Sequence, residues 1–359
     1  MHFSSAILLK VWQQPDLKIR LMMQAALFDG KTLELTNYSL RKPAVDEVLI
    51  KVSACGVCGT DIKIIAGKSG ATPPVVLGHE FCGIVEEVGD RVNSISTGDF
   101  VSVDPNIFCG ECQYCRAGKV NLCENLTALG VDIDGGFAGY SIVPAKQCYP
   151  LPPKLPPQQA VLLEPLSCAI YGFQRAKIET GDAVVIFGAG IIGLIMLKLA
   201  KLSAVRQIIV VEPDKIRRES SLQNGADFVF DPQTAEYSAE INKITGGGGN
   251  AVIECVGSAK VVEQAYRLVK PGGRLVIFGV SPADRSWTVK PYDIFRKDIS
   301  IVGSFLNPFT FKTAVELVCS GKIQLNDLDI KSFALRDIQK AFENQQRRNS
   351  LKTIIDMSI

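Results

Sequence analysis

Residues 183–193 read AVVIFGAGIIG. An apolar run enters a turn built on Gly188, Gly190 and Gly193, and the helical texture IIGLIMLKLAKLSA follows. A buried strand, a glycine turn and a long helix in that order open a βαβ unit. Each glycine has its own steric task there. The first permits the tight bend, the second lets backbone approach a pyrophosphate, and the third lets helix pack on strand. The next strand, QIIVVE, ends at Glu212. A carboxylate at that point accepts from both hydroxyls of an adenosine ribose and repels a 2′-phosphate. The stretch therefore predicts a nicotinamide dinucleotide site on Gly188, Gly190, Gly193 and Glu212, with NAD preferred over NADP. Arg217 and Arg218 follow soon after and are expected on a solvated helix face, from which they could soften that preference.

Working outward, DFVF, AVIECVG and GRLVIFG continue as short apolar strands between helical segments. That alternation predicts a doubly wound parallel sheet covered on both faces. Toward the N-terminus the texture changes. From Gln24 to about Pro150 short strands such as EVLIKVSA, GIVEEVG and DFVSVD are broken by glycine turns, as in a β-rich, barrel-like domain. The proline cluster YPLPPKLPP marks the boundary. Near the end, NPFTFKTAVELVCSG predicts a helix with Asn307 as cap, Pro308 in the first turn, Gly321 as stop, and Phe311, Val315 and Val318 on one face. The run Gly246–Gly249 is expected to be a surface turn.

The chain has 359 residues, enough for two domains, with 47% hydrophobic and 21% charged residues. Lys and Arg total 39 against 37 Asp and Glu, a net charge of +2, which gives no bulk electrostatic case for nucleic acid or an anionic membrane. The longest uncharged apolar run, Ala183 to Leu197, falls short of the roughly 20 residues of a membrane span. The opening MHFSSAILLKVW is too short and poorly flanked for a signal peptide. Residues 1–22 are expected to be an extension outside the domains, with Met22 or Met23 a candidate start. The 11 cysteines, an odd number without a secretory signal, favour reduced thiols and metal in a cytoplasmic protein.

Sulfur is densest in CGECQYC and the following RAGKVNLC, where Cys109, Cys112, Cys115 and Cys123 crowd one segment. The spacing alone admits disulfides, a redox pair, an iron–sulfur cluster or a structural metal. Histidine is scarce, only His2 and His79. His79 adjoins Glu80 in VVLGHEFCG, and Cys55 and Cys58 lie upstream in CGVCGTD. Thiol, imidazole and carboxylate with an open fourth position suit a catalytic zinc.

Together ACGVCGTDI, GHEFCGIVEEVG, the four-cysteine segment, EPLSCA and GAGIIG resemble the zinc-containing medium-chain dehydrogenase/reductase family, in order from about Met23 to the C-terminus. Glu164 in LLEPLSCA points to the polyol (sorbitol/iditol) and threonine dehydrogenase branch, because ethanol-type members carry a zinc-binding cysteine in that region. The resemblance implies an α/β fold: a Rossmann domain, residues 164–306, and a β-rich GroES-like catalytic domain split into 23–163 and 307–359. It implies two zinc ions per chain and NAD. Cys58, His79 and Glu80 would hold the catalytic zinc, with Glu164 a further ligand or the partner of its bound water. Cys109, Cys112, Cys115 and Cys123 would hold a structural zinc. Asp61 would orient the catalytic site, and Thr60 would take the substrate proton. Many relatives have a histidine where this chain has Lys63, a candidate for the outward proton relay. The remaining cysteines, Cys55, Cys82, Cys148, Cys168, Cys255 and Cys319, are expected to be small buried thiols.

The implied reaction is reversible oxidation of a secondary alcohol of a polyol or sugar alcohol to the ketone, in a homodimer or homotetramer. L-Threonine 3-dehydrogenase or a simple secondary alcohol dehydrogenase is the alternative, and a non-catalytic nucleotide-binding descendant the remote one. Sorbitol-type relatives carry an Arg-Tyr pair where this chain has Leu306 and Asn307, which argues against sorbitol itself. Asn307 is a candidate contact for a hydroxylated substrate, and Phe108 and Phe305 are candidate cleft walls.

Overall fold

The computed structural model describes residues 21–359. The predicted extension, residues 1–22, falls almost wholly outside them, and the first strand, Leu21–Phe28, already includes Met22.

Six strands form one wholly parallel sheet: Ala183–Phe187, Gln207–Val211, Phe228–Phe230, Gly249–Glu254, Val269–Ile277 and Ser300–Gly303. Numbered along the chain, their order across the sheet is 3-2-1-4-5-6. This is the Rossmann arrangement, in which the strand order reverses beside the first strand and opens a crevice at the carboxyl ends. All five residues of Ala183–Phe187 are buried because helices cover both faces. The run Gly246–Gly249 departs from expectation. Only Gly246 and Gly247 are exposed; Gly248 and Gly249 are buried, and Gly249 begins the fourth strand. A Cβ on Gly248 would lie 2.5 Å from the Leu268 carbonyl oxygen.

The N-terminal part builds a second body around the long strand Glu47–Val57, flanked by Glu80–Val88 and by Lys352–Asp356. The chain's last strand thus returns to pair with its first third. A separate sheet joins Leu21–Phe28, Leu33–Leu40 and Val75–Val76. Among the described residues no helix is long and apolar enough to cross a membrane.

Helix Leu163–Ala176 joins the two bodies. It packs on Ile191–Leu202 and on Phe311–Cys319, and Leu162, Leu163 and Leu166 are fully buried. Each such leucine stabilises the fold by about 1.5–3 kcal/mol. Helix Phe311–Cys319 starts later than the sequence suggests, with Thr310 at its cap position. Asn307 is instead buried in a polar network. Its side-chain amide donates to Asp104 at 3.2 Å and Ser167 at 2.8 Å, and its oxygen accepts from Asn106 at 2.8 Å. That occupies the groups proposed for capping or for a substrate. Of the thiols expected to be buried, Cys55, Cys82 and Cys148 are, Cys168 and Cys255 are partly buried, and Cys319 is exposed.

Candidate active site

Strand Glu47–Val57 ends at Cys58, which opens the short helix Gly59–Ile65. Asp61 in that first turn is fully buried and accepts from the Cys58 backbone N–H at 2.8 Å. His79 ends the loop before strand Glu80–Val88, whose register sets Glu80 opposite Gly56. Strand pairing therefore brings the thiol of Cys58, the imidazole of His79 and the carboxylate of Glu80 to one point. One ligand atom of each lies within 4.8 Å of the others. Asp61 Oδ1 stands 3.3 Å from His79 Nδ1, which leaves Nε2 for a metal. Burial pulls the His79 pKa down, but Asp61 and Cys58 outweigh it and hold it well above the usual range. Three donors of mixed softness with a carboxylate behind the imidazole fit a zinc ion that keeps an open position.

Sequence reasoning missed Lys352. Its ammonium is buried in an ion pair with Glu80 Oε2. Gly56 makes room for it, since a Cβ there would lie 2.8 Å from Lys352 Cε. Burial lowers the Lys352 pKa, but Glu80 and then Cys58 raise it further, so the net shift is upward. The signal was a lysine inside the apolar strand LKTIID.

Glu164 lies in the first turn of helix Leu163–Ala176, outside the set of three converging donors. Burial pushes its pKa up to about 7, with His79 pulling it down and Glu80 pushing it up. It accepts from the Cys168 thiol at 3.3 Å. Thr60 sits beside Cys58 in the helix Gly59–Ile65. Lys63, in the same helix, donates across to the Val280 carbonyl at 2.9 Å, beyond the fifth strand of the parallel sheet.

At the glycine turn the three residues differ as the motif requires. Gly188 has φ +95°, and its added Cβ would lie 2.9 Å from Val256 Cγ2. An added Cβ on Gly193 would collide with the Gly188 carbonyl, whereas one on Gly190 would meet nothing within 4 Å. Glu212 is buried and accepts from the Ala189 N–H at 2.7 Å and the Asp214 N–H at 3.1 Å, so it also braces the turn. Arg218 is engaged with the Glu212 and Pro213 carbonyls, each at 2.7 Å, and with Asp231; Arg217 donates to the Arg348 carbonyl.

The four-cysteine segment folds around its own sulfurs. The Sγ atoms of Cys109, Cys112, Cys115 and Cys123 all lie within 4.8 Å of one another. Cys109 Sγ is 3.5 Å from Cys123 Sγ and 4.0 Å from Cys115 Sγ. Tetrahedral zinc with Zn–S of about 2.3 Å separates its sulfurs by about 3.8 Å, whereas a disulfide needs about 2.05 Å. Backbone N–H groups of Cys112 and Asn125 donate to these sulfurs at 3.4 and 3.3 Å. Such donors, that of Glu111 foremost, lower the Cys109 pKa to about 6 and favour its thiolate. The donor set fits a closed zinc site.

A cavity of about 430 Å³ opens between helix Leu163–Ala176, the four-cysteine lobe and the ends of the last two parallel strands. Phe305 lines it; Phe108 lines a smaller cavity and packs edge-on against Phe309 at 6.0 Å.

Comparison with known proteins agrees with this geometry. Residues 44–153 match the alcohol dehydrogenase GroES-like domain, and residues 192–320 match the zinc-binding dehydrogenase model. An L-threonine 3-dehydrogenase of Pyrococcus abyssi is 38% identical, covering 86% of this chain and 91% of its own. D-Arabinitol dehydrogenase 1 of Uromyces fabae is 32% identical, covering 92% and 96%. A solved zinc-binding dehydrogenase of Sinorhizobium meliloti bound to NADP superposes with a TM-score of 0.90 at 37% identity, covering 94% of this chain and all of the other. With its Rossmann sheet, its two metal-fitting centres and relatives alike over nearly its whole length, the chain belongs to the zinc-containing medium-chain dehydrogenase/reductase family and is an oxidoreductase.

Proposed function

We propose that this enzyme oxidises a secondary alcohol of a polyol or sugar alcohol reversibly to the ketone, with NAD as hydride acceptor. The carrying observation is the convergence of Cys58, His79 and Glu80, together with a cavity on the face of helix Leu163–Ala176 whose charged wall residues are Lys119 and Arg175, with no carboxylate. Such a wall repels the ammonium of an amino alcohol and accepts a hydroxylated chain. L-Threonine is the second reading, favoured by the 38% identity to a threonine dehydrogenase. Initial rates at 340 nm with polyols, simple secondary alcohols and L-threonine decide between them. A specificity constant highest for threonine overturns the polyol reading.

Zinc supplies a Lewis acid that eases loss of the hydroxyl proton, and nicotinamide supplies the hydride acceptor. The chain does the rest. Cys58, His79 and Glu80 hold the metal, and Asp61 fixes the imidazole. Glu164, with its pKa near 7, is poised to exchange a proton beside them. Thr60 passes the substrate proton outward through its hydroxyl. Lys63 is assigned a positional task in place of the proton relay, because its ammonium is held on the Val280 carbonyl. Cys109, Cys112, Cys115 and Cys123 hold the second zinc and take no part in the chemistry.

NAD is favoured because Glu212 repels a 2′-phosphate while Arg217 and Arg218 are committed to backbone carbonyls. The NADP in the Sinorhizobium neighbour is the contrary precedent. Equal turnover with NADP removes the preference. We also propose a division into 23–163 with 307–359 and 164–306, a cytoplasmic location suited to free thiols, and a homodimer or homotetramer. The oligomer is supported by Tyr292 and Phe295, 67% and 81% exposed, near the edge strand Ser300–Gly303. Light scattering checks it.

A further inference from the structure

Helix Leu163–Ala176 carries Glu164, Cys168, Tyr171 and Arg175 at spacings of four, three and four, so they share one face. Glu164 lies at the N-terminal end of that face, and the helix packs on strand Glu80–Val88, which carries Glu80. Farther along it, Tyr171 and Arg175 line the cavity. Arg175 Nε donates to the Gly303 carbonyl at 3.1 Å, which fixes the guanidinium and leaves its terminal nitrogens without a partner among the described residues.

The opposite wall comes from the four-cysteine lobe. Lys119 and Asn121 lie between Cys115 and Cys123, so the closed sulfur cluster sets their position. Asn121 donates to the Phe305 carbonyl at 3.0 Å and ties the lobe to the cavity rim. The Ser304 hydroxyl, buried in the same wall, has no hydrogen-bond partner among the described residues. Two cations with no carboxylate make a receptor for a multivalent oxyanion. It is separate from the cofactor's pyrophosphate site, because none of Gly188, Gly190 and Gly193 lines it.

We propose that the physiological substrate is a polyol phosphate ester, with its reacting hydroxyl at the Cys58–His79–Glu80 end and its phosphate between Arg175 and Lys119. This rests on the dehydrogenase reading above. Spacing selects the ester over a short amino acid. The eleven residues from Glu164 to Arg175 rise about 16 Å along the helix, of which the arginine, leaning back toward the N-terminus, recovers part. A chain of several carbons spans the remainder. The carboxylate of threonine, two carbons from its hydroxyl carbon, does not.

The test compares pentitol and hexitol phosphates with the parent polyols and L-threonine, using zinc-loaded enzyme and NAD. The wild type should favour an ester over its parent by about 10- to 100-fold in kcat/KM. Arg175→Gln and Lys119→Gln should each collapse that ratio toward one. Calorimetric titration of the ester into enzyme without NAD should show the same loss of affinity in each variant. Lys119 is exposed, so its variant guards against misfolding of the first. A parent polyol turned over as well as its ester, or a ratio unchanged in both variants, overturns the inference and leaves the dehydrogenase reading standing. No turnover of any alcohol overturns both.

Discussion

The four-cysteine lobe takes all its donors from the single stretch 109–123, whereas Cys58, His79 and Glu80 meet only because separate strands pair. The lobe is closed by sulfur alone. The other centre includes a buried lysine from near the chain's far end, already paired with one prospective metal ligand. The difference teaches what each ion is needed for. Without metal, four crowded sulfurs have no cation among them, so zinc there would stabilise the fold. Lys352 gives the second centre a cation of its own, so zinc there serves reactivity more than stability.

The strongest challenge to that contrast is a pair of substitutions. Cys58→Ala should lower kcat/KM on the order of 10³-fold or more while thermal unfolding barely moves. Cys112→Ala should do the reverse, lowering Tm by about 10 °C with residual activity in the cold. Metal analysis should find two zincs in the wild type and one in each variant. If both variants lose stability alike, the two centres do not differ in the way described.

Lys352→Met sharpens the comparison next. Leaving Glu80 buried and unpaired should cost about 3–5 kcal/mol in urea unfolding of zinc-free protein. Added zinc should recover most of that loss. A deficit that zinc does not touch would make Lys352 a structural residue only.

The link between the centres is the buried network of Asn307, Asn106, Asp104 and Ser167, reaching from the approach to Cys109 to the helix of Glu164. Burial raises the Asp104 pKa to about 6 from 3.8, and hydrogen bonds from Asn106 and Asn307 oppose the rise. The native state therefore holds this proton more tightly than the unfolded chain. The resulting stabilisation is complete below pH 3.8 and is lost as pH rises through 6. Asp104→Asn keeps both acceptor contacts without the charge. It should be more stable than wild type above that window by about 2–3 kcal/mol, with the gap closing toward acid. Chemical unfolding across pH reads this directly; a constant gap removes the assignment.

The smallest effect expected is at Lys63. Lys63→Met should raise KM for the cofactor about 3- to 10-fold, through loss of one charge-assisted bond to the Val280 loop, and leave the pH–rate profile unchanged. A shifted profile restores Lys63 to the proton path.

Much of this was legible in the sequence because it is local. The glycine spacing of 188, 190 and 193 after five apolar residues specifies a strand, a turn and a helix without reference to the rest of the chain. The lobe's four cysteines name their own partners. What stayed hidden depends on long-range pairing. Lys352 reaches Glu80 only because the last strand lies beside Glu47–Val57, and no spacing rule spans that distance. Asn307 read as a cap because Asn-Pro before an apolar stretch usually is one. The network that occupies it is drawn from two other segments, 104–106 and the helix of Ser167. Gly248 and Gly249 looked like turn residues because four glycines in a row conceal which of them another backbone presses against.

The empty space beside Gly190 has an evolutionary corollary. A methyl group there touches nothing in the protein, so an alanine variant would fold, persist in the cell and resist proteolysis as its parent does. At Gly193 the same exchange would strike the Gly188 carbonyl and be removed by quality control. Two glycines three positions apart thus answer to different filters, one to the ligand and one to the chain. A descendant that abandoned redox work would be expected to lose the first long before the second.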